Sequence, residues 1–165
     1  MNKITALLLS LVFAPLASAA ASDVDLHDYW DQRCQDCHGH SSEFARRFLR
    51  VEKGRLVGVH HRDDLDVFLR NHYLTDSLVA PVSAMLAAQL TTPPLFAQKC
   101  SGCHGTAAEF ARKSLAISGA VLVSASSGRK VADTLATHGG LGPREVPLVV
   151  GSLTRVRNEV SHSAR

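Results

Sequence analysis

Apolar positions along this chain repeat at long range. Shifting the sequence by 66 residues lays 28–90 on 94–156 without a gap. Leu49, Leu56, Val57 and Leu69 fall on Leu115, Leu122, Val123 and Leu135. Polar positions keep step: Gln32 meets Gln98, Pro81 meets Pro147, and Glu43-Phe44-Ala45-Arg46 meets Glu109-Phe110-Ala111-Arg112. Self-similarity at a fixed period marks one supersecondary unit written twice. The joint falls at 91–94, where Pro93 and Pro94 stop the preceding helix.

Within each copy the local spacing is helical. Trp30 stands four residues before Cys34, and Phe96 four before Cys100, which puts each ring on the same helical face as the thiol. Residues 43–49 and 109–115 predict a short helix with Phe44 and Phe110 inward. Arg46 and Arg112 then lie one turn from Glu43 and Glu109; surface pairing is their default, and a carboxylate of a bound cofactor is the alternative partner. A β-branched stretch at 55–59, matched at 121–125, predicts a minor hairpin or an extended connection. Leu65, Phe68, Leu69 and His72, with Val131, Leu135 and His138 in register, form an i, i+4, i+7 stripe that ends in a histidine. Gly139-Gly140 stops that helix in the second copy. A closing helix is predicted over about 76–90 and again over about 143–160. Pro143 suits its N-terminal turn, and Pro81 and Pro147 mark its first turn or a kink.

The N-terminus reads differently. Lys3, an apolar run over 4–16 and Ala17-Ser18-Ala19 fit a signal peptide at 1–19 followed by cleavage. An uncleaved anchor is the competing use of that run, and Pro15 with the Ala-x-Ala site favours removal. No later segment is long and apolar enough to span a bilayer, so the expectation is a soluble, exported product in a periplasm, with no stable membrane insertion after signal cleavage. Residues 20–90 and 91–165 are then the two modules. Each is near the size at which a chain buries too little surface for comfort, and aromatic residues make up only 5% of the sequence. The net charge of +3 is too small to imply nucleic-acid binding.

The chemistry lies in two copies of Cys-x-x-Cys-His, Cys34 to His38 and Cys100 to His104, which use every cysteine in the chain. This is the attachment pattern for a c-type haem: two thiols three positions apart reach the vinyl groups on one edge, and the next imidazole is held under the iron. Two covalently bound haem c groups are expected, each a large apolar centre for its small core. A four-cysteine zinc site from Cys34, Cys37, Cys100 and Cys103 is an alternative that leaves His38 and His104 without a shared role. Disulfides between positions three apart would close only trivial loops.

Iron held by His38 or His104 needs a second axial ligand, and that choice decides between shuttling electrons and binding a small molecule. His72 and His138 are the candidates, each 34 residues after its proximal histidine, and no other histidines beyond the motifs coincide under the shift. Met85 is the rival in the first copy. Its counterpart is Gly151, so His/Met ligation cannot serve both. His60-His61, opposite Ser126-Ser127, read as a solvated pair, and His27, His40 and His162 have no matching partner.

With both motifs, Trp30 and Phe96 ahead of them, and the closing helices, the chain resembles di-haem c-type cytochromes of the small helical cytochrome c superfamily. The resemblance implies a mostly α fold, two tandem cytochrome c-like haem modules with a minor β-like stretch in each. It implies thioethers at Cys34, Cys37, Cys100 and Cys103 and proximal ligation by His38 and His104. The usual distal methionine loop is absent. Two functions follow: an electron carrier, not itself an enzyme, that serves redox protein partners as donor and acceptor; or a haem protein with an open or displaceable distal site that senses or transforms a gas or peroxide.

Overall fold

The computed structural model describes residues 24–160, so the signal peptide expected at 1–19 lies outside the described residues. The first unit runs α1 (Leu26–Arg33), α2 (Gln35–His38), α3 (Ser41–Phe48), β1 (Leu49–Glu52), β2 (Arg55–Gly58), α4 (Leu65–Arg70) and α5 (Asp76–Thr91). The second repeats this order as α6 (Leu95–Lys99), α7 (Ser101–His104), α8 (Ala107–Ser114), β3 (Leu115–Ser118), β4 (Val121–Ser124), α9 (Val131–Leu135) and α10 (Glu145–Glu159). The fold is mostly helical with two small antiparallel strand pairs.

Local chemistry explains where these elements start and turn. Asp25 caps α1 by accepting the Asp28 N–H, and His40 accepts the Ser42 N–H at the head of α3. Thr106 and Glu109 form a reciprocal capping box on α8, each satisfying the other's backbone N–H. The first hairpin turns through Lys53 and Gly54, both at positive φ, as a two-residue I′ turn requires. The second turns through Gly119 and Ala120 with only the glycine at positive φ, the pattern of a II′ turn.

Two sequence expectations need correction. The helix expected over 43–49 and 109–115 stops one residue early, because Leu49 and Leu115 are already extended and open β1 and β3. These strands pair with the β-branched stretches; a four-residue strand half exposed carries too weak an alternation to stand out from a helix tail. The histidine stripe also outruns its helix: α4 ends at Arg70 and α9 at Leu135, so His72 and His138 sit on the turns that follow. Pro147 falls in the first turn of α10, whereas Pro81 lies inside α5.

Buried side chains form two separate clusters. One gathers Leu26, Trp30, Leu49, Val82, Met85 and Leu86; the other gathers Phe96, Leu115, Leu122, Val149, Leu153 and Val156. In each unit the long closing helix packs across the helix that follows the motif and across the hairpin, α5 on α3 and β1, α10 on α8 and β3. Substantial packing joins elements of the same unit.

Polar clasps tie the units together. Arg112 reaches Asp25 with two bonds, Nε to Oδ2 at 2.6 Å and Nη2 to Oδ1 at 2.9 Å. His27 Nε2 lies 2.8 Å from Glu159 Oε2. The expected Arg112–Glu109 pairing is therefore wrong, since Glu109 is held by Thr106, and His27 gains a partner that its own neighbourhood in the sequence does not reveal. Arg46 donates instead to the Ser42 carbonyl at 3.0 Å. No helix among the described residues is long and apolar enough to cross a membrane.

Candidate metal centres

Each Cys-x-x-Cys-His motif is a single helical turn folded the same way twice. The first cysteine ends one helix and starts the next, with φ −121° and ψ −31° at Cys34 and φ −121° and ψ −29° at Cys100. The His38 N–H donates to the Cys34 carbonyl at 2.9 Å, and the His104 N–H to the Cys100 carbonyl at 3.0 Å. Gly39 and Gly105 follow at φ +69° and +70°, a left-handed step that releases the chain from the turn. In the first unit the Trp30 indole N–H donates to the Gly39 carbonyl at 2.9 Å and pins this exit. Phe96 has no such donor.

The His38 and His104 imidazoles are packed by aromatic rings. Phe44 meets His38 with centroids 4.8 Å apart, and Phe110 meets His104 at 4.7 Å. Burial, and to a lesser degree the neighbouring His72, hold the His38 imidazole below its ordinary pKa, which favours the neutral form that binds metals. Burial pushes the Cys34 and Cys100 thiols up, with Lys99 partly opposing it at Cys100. Cys37 and Cys103 are exposed.

The two histidines of each unit that coincide under the repeat come together with their ring planes steeply inclined. Ring centroids of His38 and His72 are 5.8 Å apart at an interplanar angle of 70°; those of His104 and His138 are 6.0 Å apart at 70°. Bonds of about 2 Å from each imidazole nitrogen to a shared metal ion put the ring centres about 6 Å apart. Both centroid separations match that spacing.

Each pair lines a cavity with its own two cysteines. The first, of about 450 Å³, is walled by Trp30, Phe44, Phe68 and Leu86. The second, of about 540 Å³, is walled by Phe96, Phe110, Leu153 and the more polar Ser127, Arg129 and Thr134. Both fall within the roughly 300–1,000 Å³ of cofactor and ligand sites. No family model, curated protein or solved structure matches the chain.

A four-cysteine zinc site finds no support in this arrangement, because each cysteine pair opens into its own cavity. Among the described residues no group of three or more His, Cys, Asp or Glu side chains converges on a metal position. Two imidazoles beside each thiol pair, with no third protein ligand among the described residues, would leave the remaining ligand positions of a metal to a bound macrocycle. The residues present fit a covalently held haem.

Met85 is 1% exposed in the first core, and the cavity shared by His38 and His72 is lined by Val82 and Leu86 of the same helix instead. His60 is exposed, as expected, at the edge of that cavity, whereas His61 is half-buried and stacks on Phe68 at 4.0 Å and 18°. The sequence held a signal for this, an aromatic at Phe68 one turn before His72, but the loop that returns His61 to it is long-range structure.

Proposed function

We propose that this chain is an exported di-haem c-type cytochrome that carries single electrons between redox protein partners, with both irons held by two imidazoles. The observation that carries this reading is the pairing of histidines, His38 with His72 and His104 with His138, at nearly the same separation and the same angle beside a Cys-x-x-Cys turn.

Cys34 and Cys37, and Cys100 and Cys103, would hold the macrocycles as thioethers; His38 and His104 would be the proximal ligands, and His72 and His138 the distal ones. The bound iron porphyrin supplies a one-electron couple that changes no covalent bond of the chain. The protein's part is to keep ligand geometry fixed between oxidation states. Phe44 and Phe110 brace the His38 and His104 rings, the motif turns fix where those rings stand, and the apolar wall of the first cavity would limit water at its iron. Bis-imidazole ligation implies lower potentials than His/Met, because a thioether raises the potential.

The test is to express the full chain in a host with a periplasmic haem-maturation system and to measure intact mass with a spectroscopic redox titration. Two added porphyrins and two low-spin, one-electron centres are expected. A chain without porphyrin, or high-spin iron at both positions, would overturn the reading.

A further inference from the structure

The two centres share a frame, yet their distal histidines are held differently. The His72 ring is stacked on Phe68 at 4.9 Å and 18° and meets Tyr73 edge-on at 5.2 Å. Phe68 is stacked in turn on His61. The 66-residue shift replaces His61, Phe68 and Tyr73 by Ser127, Thr134 and Gly139. Among the described residues, the one ring in contact with His138 is that of His104.

Backbone conformation marks the same difference. Tyr73 sits at φ +65°, a left-handed conformation unfavourable for a residue with a Cβ, and Gly139 takes the equivalent φ of +83° freely. The Tyr29 hydroxyl donates to the Tyr73 carbonyl at 2.7 Å and stabilises the strained residue. Tyr29 is matched by Leu95, which has no donor, so strain and restraint are both confined to the first unit. Strain of this kind persists where surrounding structure enforces it, and here it places a ring against His72. His138 is exposed, and Gly139 and Gly140 behind it are both at positive φ. Its cavity is the larger and the more polar of the two, with Ser127, Arg129 and Thr134 in the wall.

Resting on the di-haem reading above, we propose that the second centre binds a neutral diatomic ligand of the carbon monoxide and nitric oxide class in place of His138, while the first centre stays closed. The imidazole swings away on the Gly139-Gly140 turn and one lone-pair donor replaces another, so no electron is gained or lost. His72 does not follow, because its ring is stacked on Phe68 and also contacts the exposed Tyr73, two partners that His138 lacks. The protein then couples a closed electron-transfer centre to one that reports or takes up a small molecule.

Carbon monoxide titration of the reduced holoprotein, read by optical absorption against porphyrin content, tests this. The wild type should take one carbon monoxide per two porphyrins. The His138→Ala protein should still take one, with apparent affinity raised about tenfold or more because no ligand has to leave. A Phe68→Thr, Tyr73→Gly double variant, which copies the second unit into the first, should take two. Zero or two in the wild type, two in His138→Ala, or one in the double variant overturns the proposal and leaves the di-haem reading standing. A purified chain lacking two porphyrins overturns both.

Discussion

Replacing Asp25 with asparagine separates two roles of one side chain. Asp25 caps α1 through the Asp28 N–H at 2.8 Å and receives the two bonds from Arg112, the pair that joins the units. Asparagine caps as well as aspartate, so Asp25→Asn removes the charge and keeps the cap. Breaking a buried ion pair costs about 3–5 kcal/mol. The Arg112 side chain is 33% exposed, however, and water can take up the freed guanidinium, which reduces the expected loss to about 2 kcal/mol. Asp25→Ala also loses the cap, adding about 1 kcal/mol.

The loss has a defined pH dependence. Burial raises the Asp25 carboxyl, but the Arg112 hydrogen bond, the Asp28 N–H and the charges of Arg112 and His27 outweigh it and hold the group below its ordinary 3.8. A group with a depressed folded pKa contributes its full stability above the unfolded value and loses it as pH falls through the folded one. Wild type and Asp25→Asn should therefore differ by about 2 kcal/mol from pH 7 down to about pH 5, and the difference should shrink only as pH falls below 3.8 and through the lower folded value. Urea unfolding of the holoprotein followed by far-UV circular dichroism across that range measures it, and the weakened joint should also spread the unfolding of the two units apart. Equal stabilities at neutral pH, or a difference that persists undiminished in acid, would refute the assignment.

Other expectations follow from single positions. At Gly105 an added Cβ meets Glu109 Oε2 at 2.7 Å, whereas at Gly39 nothing lies within 4 Å, although both glycines have positive φ. Gly105→Ala should thus lower the thermal midpoint more than Gly39→Ala, by the worth of the capping box, about 1 kcal/mol. Met85→Leu should leave the ligand-field spectrum of the holoprotein unchanged at a cost below about 1.5 kcal/mol, while Met85→Ala should cost about 2–5 kcal/mol through the cavity left in the first core; a spectral change in the leucine variant would make Met85 a ligand. Tyr29→Phe, which removes the hydroxyl that supports Tyr73, should destabilise by about 1 kcal/mol in urea unfolding. No loss there would mean that the left-handed turn at Tyr73 needs no support.

What the linear sequence determined is whatever short-range periodicity encodes. Two Cys-x-x-Cys-His turns, the shift of 66 residues, the helices around Phe44 and Phe110, and the singling out of His72 and His138 all rest on spacings within a few residues or on comparing one copy with the other. Such signals survive because backbone geometry converts spacing directly into facing. The tertiary structure decided the rest. Asp25 and Arg112 are 87 residues apart, and the separations of about 6 Å between imidazoles that are 34 positions apart depend on how α4 and α9 pack beneath the closing helices. Tyr73 at positive φ is invisible as a letter, because the left-handed conformation is imposed by the turn after α4 and by a hydroxyl 44 residues upstream. Contacts of this kind arise from chain folding in three dimensions, where loop closure and burial, rather than local propensity, choose the partner.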